Sequence, residues 1–237
     1  MSGNSLTAAA AARTGGVRDH AGPALLDRLA AFVGLILVAP LFLVLAVAIV
    51  IDSGFPVFFS QERLGVGGRL FRMYKFRKFA ADIGTNTRPL TLANDSRCTR
   101  IGRFLEKTKL DELPQFWNIL RGEMAIVGPR PEVPDFADCF VGPLRRVLDY
   151  RPGILGPSQA AYRHEGSMYP PGEDPRSYYR RVLFPAKAQL DLGYYPSRTF
   201  ISDLKWVFFG FSAVIGVGKA DRGSVGHRHE ADGVAGD

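Results

Sequence analysis

Asp111 and Glu112 stand side by side in the stretch Lys107-Thr108-Lys109-Leu110-Asp111-Glu112-Leu113-Pro114-Gln115, and Gly128-Pro129-Arg130-Pro131 follows shortly after. A carboxylate in such company can hold a divalent cation, or attack a phosphorus atom, provided that an anionic substrate is neutralised nearby. The flanking lysines and Arg130 are the residue types that supply this neutralisation. Pro129 and Pro131 restrict the backbone on either side of Arg130, which suits a guanidinium that must grip a phosphate or nucleotide. A rigid turn carrying a solvated arginine would use the same residues.

The elements around the pair must position it. Ile101 to Lys109 has helical apolar spacing (Ile101, Phe104, Leu105), with Arg100, Arg103, Lys107 and Lys109 projecting elsewhere, and Thr99 or Asp95 can cap it. Pro114 suits the first turn of a second helix, Leu113 to Leu120, with Gly122 past its end. The two carboxylates are therefore expected at a helix-to-helix junction, where the partial positive charge of a helix N-terminus favours carboxylate and phosphate alike. Upstream, Pro56 to Gln61 and Arg69 to Phe79 read as the strands of a hairpin turning at Gly65-Val66-Gly67-Gly68. Lys75 and Arg77, two apart, are expected on one face, either facing phosphate or solvated on an edge strand. Downstream, Met124 to Val127 reads as a short strand, Asp135 to Tyr150 as an amphipathic helix and Arg151 to Pro157 as a loop. Asp174 to Leu192 reads as a helix interrupted at Pro185. Phe200 to Ile215, aromatic-rich but carrying Asp203 and Lys205, suits an interfacial helix.

The membrane enters through composition. Leu29 to Ile51 carries no charge, the usual signal of a membrane helix. Pro40 falls near its middle and removes a backbone hydrogen bond. Each half has about eleven residues, roughly 16 Å of helix, about half the hydrocarbon thickness. That length suits a helix that dips in and returns. Arginines precede the run, and Arg63, Arg69, Arg72, Lys75, Arg77 and Lys78 follow it, which disfavours placing either flank outside. An ordinary kinked single-pass anchor stays open, since spanning helices tolerate proline. Lys and Arg total 30 against 23 Asp and Glu, a formal +7 that suits an anionic partner. Cys98 and Cys139 have no metal spacing and no H-E-x-x-H occurs, so structural zinc is not expected. No phosphate-loop signature of the G-x-x-x-x-G-K-[ST] type is present.

Taken in order, these motifs resemble the bacterial sugar transferase family, the monotopic phosphoglycosyl transferases. The resemblance rests on Asp27-Arg28 before the Pro40-broken apolar run, Pro56-Val57-Phe58-Phe59, Gln61-Glu62-Arg63 and Tyr74-Lys75-Phe76-Arg77. It continues through Leu110 to Gln115, Asn118, Leu120-Arg121-Gly122, Val127 to Glu132, and Pro152-Gly153-Ile154 with Gly156. It implies transfer of a phosphosugar from a nucleotide diphosphate sugar, usually a UDP-sugar, to polyprenol phosphate, with release of the nucleoside monophosphate. Asp111 matches the family's nucleophile, which forms a covalent phosphosugar intermediate. Glu112 matches the ligand of Mg²⁺, and Arg130 the position that holds the nucleotide. Pro40 matches the break that makes the membrane helix re-entrant and leaves both ends cytoplasmic. The chain departs from the family pattern at Ala39, Glu106 and Lys109, and again at Pro157 to Arg163.

The expected fold is α+β: a mostly helical monotopic protein with an N-terminal re-entrant, Pro-broken membrane helix, a small β-hairpin and interfacial amphipathic helices. Residues 1–22 are expected to be a disordered arm, 23–216 a single membrane-seated catalytic domain and 217–237 a disordered tail. The expected form is the short one, the catalytic unit without the extra membrane helices of the long members. Beyond the catalytic pair, the candidate binding residues are Arg130, Pro129, Pro131, Lys75, Arg77 and Arg103. The expected setting is the inner leaflet of the bacterial cytoplasmic membrane, with the catalytic part facing the cytoplasm and a homo-oligomer left open. A membrane-anchored basic module for nucleic acid or acidic lipid explains the charge and the anchor. It leaves the Asp-Glu-Leu-Pro-Gln stretch without a purpose, and no nucleic-acid motif is recognisable.

Overall fold

In the computed structural model of the chain, residues 21–80, 90 and 95–215 are described. The arm up to residue 20, the polar loop 83–89 and the tail 217–237 of the sequence reading lie outside the described residues. Helices dominate, with only two small sheets among the described residues.

The first helix, α1 (Ala21–Ser53), is long and apolar enough to cross a membrane, with a mean hydropathy of 3.1 over its most apolar part. Helical geometry runs through Pro40 without a gap, so the two half-helices expected there form one continuous element. One face is committed to the protein. Ala31 packs with Met73, Ile119 and Met124, whereas Leu45 and Ile49 pack with Phe76 and Leu105. The other face is bare: Ile51 is 81% exposed against 1% for Ile49. Apolar side chains on an uncovered face cost free energy in water and none in lipid, at about 25 cal/mol per Å².

The expected hairpin forms around its glycine turn. β1 (Phe58–Leu64) pairs antiparallel with β2 (Leu70–Phe76), Phe58 opposite Phe76 and Leu64 opposite Leu70. Gly67 and Gly68 take φ of +66° and +80° in the turn, a region open to residues without a Cβ. Next come α2 (Arg100–Thr108), capped by the Thr99 hydroxyl accepting from the Gly102 N–H, and α3 (Gln115–Leu120). Then β3 (Ala125–Val127) pairs in parallel with β4 (Gly153–Leu155). The expected loop at Arg151 to Pro157 therefore contains a strand.

Asp135 to Tyr150 is not an amphipathic α-helix but two 3₁₀ stretches, Pro134–Cys139 and Gly142–Asp149. Gly142 opens the second of them at φ +53°. The Pro143 that follows disfavours α geometry at the residue before it, so the helix cannot run on. After α4 (Pro157–Ala161), Pro185 does not interrupt its helix either. α5 (Pro175–Tyr178) passes through a π-turn at Tyr179–Leu183 into α6 (Phe184–Tyr194). The wider turn gives room to the proline ring at the start of α6. It also aims Tyr179 into the largest apolar cluster, with Leu64, Val133, Phe136 and Phe184. The chain's last described element is α7 (Phe200–Ile215), on which Phe200, Ile201 and Phe208 are exposed.

Candidate active site

Asp111 and Glu112 lie in a single 3₁₀ turn, Leu110–Glu112, between α2 and α3. The turn is entered through Lys109 at φ 62° and ψ 15°, the left-handed conformation that ends α2. Glycine usually fills that role, and a residue with a Cβ costs roughly 1–2 kcal/mol there. Such strain persists where the surroundings impose it, and it clusters at functional sites.

Two other elements bring cations to the pair. Asn118 of α3 is fully buried and stitches α3 to the edge of β2. Its side chain accepts from the Tyr74 N–H at 3.1 Å and donates to the Arg72 carbonyl at 2.6 Å. With that edge fixed, Lys75 of β2 places its Nζ 2.9 Å from Glu112 Oε1 and 3.8 Å from Asp111 Oδ2. Arg130 donates to the same Glu112 Oε1 at 2.9 Å. The Pro129-Arg130-Pro131 loop is held from below by backbone: Gly153 N–H donates to the Pro129 carbonyl at 2.9 Å, and Arg63 to the Pro131 carbonyl at 3.0 Å. Gln159 adds bonds to the carbonyls of Gly128 and Gly153.

The two carboxylates are adjacent, yet their electrostatics diverge. Both are buried, at 3% and 8% exposure. For Glu112, burial favours the neutral acid, but the charges of Lys75, Arg130 and Lys109 outweigh it and hold the carboxyl well below its usual range. For Asp111, burial and the neighbouring Glu112 charge push the pKa up against the pull of Lys75. Burial lowers the pKa of Lys75. A pair driven apart in this way divides into unequal roles. One further detail separates them: Asp111 Oδ1 is buried without a hydrogen-bond partner. A buried acceptor left bare is costly, which marks a place meant for something else.

Of the other sequence-predicted binding residues, the structure brings only Lys75 and Arg130 onto the pair. Arg77 instead donates to the Ser53 carbonyl and hydroxyl, each at 2.9 Å, and to the Gly54 carbonyl, closing the C-terminus of α1. Alternation places Lys75 and Arg77 on one face, but Arg77 lies beyond the last paired residue of β2 and turns to the helix end. Arg103 donates to the Cys98 carbonyl at 3.1 Å. Both arginines still border the same cavity of about 1180 Å³ as the pair. Val38, Leu41, Phe116, Trp206 and Phe209 line it as well, so the cavity has a charged part and an apolar part.

A buried polar cluster behind the Pro-Arg-Pro loop has no counterpart in the sequence reading. Glu132 accepts from the Tyr179 hydroxyl and from Lys187 at 3.2 Å. Lys187 also bonds the Tyr179 hydroxyl at 2.8 Å and Glu165 at 3.0 Å. One signal was available: Lys187 and Asp191, four apart, share the buried face of α6 with Phe184 and Ala188. Charges on an apolar stripe call for partners.

Among the described residues no group of three or more His, Cys, Asp or Glu could hold a metal ion. Mg²⁺ does not ask for one, because it binds through one or two carboxylates together with substrate phosphates and water. Glu112 and the bare oxygen of Asp111 fit that requirement.

Geometry and charge thus bring an unequal acidic pair and two cations together in one cavity that the long apolar helix also lines. The chain belongs to the bacterial sugar transferase family, whose model matches residues 19–216. It is 35% identical over 220 residues to the exopolysaccharide production protein ExoY of Rhizobium meliloti, covering 85% of this chain and 89% of that protein. It is 40% identical over 142 residues to the UDP-N-acetylgalactosamine-undecaprenyl-phosphate N-acetylgalactosaminephosphotransferase of Aeromonas hydrophila, covering 58% of this chain and 33% of that one. Against the UDP-glucose:undecaprenyl-phosphate glucose-1-phosphate transferase of Xanthomonas campestris pv. campestris the identity is 42% over 156 residues, covering 62% and 32%. The chain thus spans about a third of the length of these last two relatives.

Proposed function

We propose that the chain transfers a phosphosugar from a UDP-sugar to polyprenol phosphate, giving polyprenyl diphosphate sugar and UMP, at the start of a surface glycan such as an exopolysaccharide or capsule. The observation that carries this reading is the unequal acidic pair, one carboxylate held by two cations and the other left with a bare oxygen. A carboxylate oxygen of Asp111 attacks the sugar-bearing phosphorus of the donor. The phosphoanhydride bond to UMP breaks, and UMP leaves with the bonding pair. A phosphate oxygen of the polyprenol phosphate then attacks the same phosphorus and frees the Asp111 carboxylate. Covalent catalysis suits two substrates that differ so much in solubility, since each meets the enzyme in its own step.

Lys75 and Arg130 neutralise the donor's phosphates, and Lys75 favours the ionised form of Asp111. Mg²⁺ held by Glu112 would supply further charge neutralisation and make the phosphorus more electrophilic. Glu112→Gln is expected to leave the covalent adduct able to form while raising the Mg²⁺ needed for half-maximal rate by on the order of 10- to 100-fold, the weight of one charged interaction. A Mg²⁺ titration of both proteins reads this directly, and an unchanged midpoint would remove Glu112 from the metal's coordination.

The bare faces of α1 and α7 support a membrane seat. Both halves of α1 pack on the same body, Ala31 on one part and Ile49 on another, which favours a helix whose two ends share one side of the bilayer. Reporters fused to the two chain termini should both report the cytoplasm; opposite locations would restore a single-pass anchor.

The function is tested by Mg²⁺-dependent UMP release from a panel of UDP-sugars with polyprenol phosphate present. Release that does not need the lipid would make the protein a nucleotide-sugar hydrolase. No release from any donor would end the reading.

A further inference from the structure

The stretch 162–167, from Tyr162 to Ser167, lines the same cavity as the acidic pair. It carries a cation of its own, Arg163, and beside it a carboxylate. The part of the cavity at Asp111 is cationic, with Lys75, Arg130 and Lys109 at its edge, as a diphosphate requires. Glu165 brings a carboxylate to this wall, and a carboxylate repels phosphate. It does accept hydrogen bonds from hydroxyl groups.

Its geometry is that of an acceptor held ready. Oε1 takes a hydrogen bond from the Tyr169 hydroxyl at 2.9 Å, and Oε2 takes one from Lys187 Nζ at 3.0 Å. Each carboxylate oxygen has about two lone-pair sites, so one acceptor position on each oxygen is left. The side chain is 24% exposed, on a turn, Glu165–Ser167, that buries none of its residues. Lys187 cannot follow a departing Glu165, because its three donor positions are already divided among Glu132, Tyr179 and Glu165. Neutralising Lys187 does not by itself require Glu165 either, since the buried Glu132 is already there. Arg130 and Glu165 line the same cavity, and the charge of Glu165 adds to that of Glu112 in raising the Arg130 pKa.

We infer that Glu165 is a substrate-recognition residue whose two fixed oxygens accept hydrogen bonds from a pair of neighbouring hydroxyls on the donor. This rests on the transferase reading and deepens it. A vicinal diol occurs in two parts of a UDP-sugar, the ribose and the hexose, and both present the same chemistry.

Binding to the full-length protein in detergent, with Mg²⁺ present, tests the assignment by calorimetry with UMP, UDP-glucose and UDP-galactose. Glu165→Ala is expected to weaken UDP-sugar binding about 10-fold or more, the loss of hydrogen bonds to a charged group. If UMP binding falls by the same factor, the diol is that of the ribose; if UMP binding holds while the UDP-sugars lose, it belongs to the hexose. Either result supports the inference. Binding of all three ligands within about 2-fold of wild type, in a variant of unchanged melting temperature, overturns it. Should Glu165→Ala not fold, Glu165→Gln keeps the size of the side chain: its amide oxygen still accepts from Lys187, while its NH2 can only donate to the Tyr169 hydroxyl, so one of the two acceptor oxygens is lost. Donors lacking one hydroxyl should then bind more weakly than their parents to wild type, and by a clearly smaller factor to the variant, which has lost one acceptor oxygen. Deletion penalties that are the same in both proteins overturn the inference. A wild-type protein that binds UDP-sugars yet releases no UMP sinks the transferase reading alone, and Glu165 is still judged on binding. A wild-type protein that binds none of the ligands sinks both.

Discussion

Asp111→Asn is expected to lower phosphosugar transfer by about four orders of magnitude or more, the scale on which enzymes lose rate when the attacking group itself is removed. No covalent phosphosugar adduct should form on the variant. Asparagine fills the same space and removes a buried charge set against Glu112, so the fold should be as stable as before or slightly more so. The clamp on Glu112 is untouched, because Lys75 and Arg130 both bond Glu112 Oε1. Donor binding should therefore survive while chemistry does not. Intact-protein mass spectrometry after exposure to a UDP-sugar without lipid looks for the adduct, and UMP release measures the rate. Turnover above about one per cent of wild type would refute the nucleophile assignment.

Gly128→Ala should have the next largest effect, and for a reason unrelated to chemistry. A Cβ on Gly128 would sit 2.2 Å from the Arg151 carbonyl oxygen and 2.7 Å from the Gly153 nitrogen. Every one of those neighbours is backbone, so no side chain can turn aside. β3 and β4 would have to part, and the Gly128 to Leu155 and Gly153 to Pro129 hydrogen bonds that carry the Arg130 loop would go with them. A loss of about 3 kcal/mol or more is expected, at the upper end for overpacking, together with much weakened donor binding. Gly193→Ala in α6 is the matched control, since nothing lies within 4 Å of a Cβ there and alanine favours a helix. Thermal unfolding of the two variants side by side decides the matter. A Gly128→Ala protein as stable as the Gly193→Ala protein would show that the two strands are free to separate.

Much of this site could be read in the residues, because much of it is local. Thr99 caps α2, Gly122 takes φ of +75° just past α3, and the acidic pair falls at the junction of the two helices; each follows from neighbours a few residues away. The hairpin was legible for the same reason. What stayed hidden depends on long separations. β4 has three residues, too few to show a period, and its parallel pairing with the expected strand β3 goes with two glycines meeting back to back. Lys187 reaches Glu132 across 55 residues of chain. Arg77 shows the limit of periodicity from the other side: a period assigns a residue to a face and says nothing about the carbonyls waiting there. Pro40 and Pro185 share one lesson. A proline forbids one hydrogen bond, and packing decides whether the helix stops, bends or widens around it.

The closure of α1 by Arg77 has a metrical consequence. Arg77 grips the carbonyls at the end of the apolar helix, and Lys75, two residues earlier on the same backbone, grips the acidic pair. Two extended residues span roughly 7 Å, and covalent bonds rather than side-chain packing set that interval. The carboxylates therefore ride at a constant height above the end of the helix. The helix end serves as the zero of a depth scale, and the chemistry is marked on it a short step away.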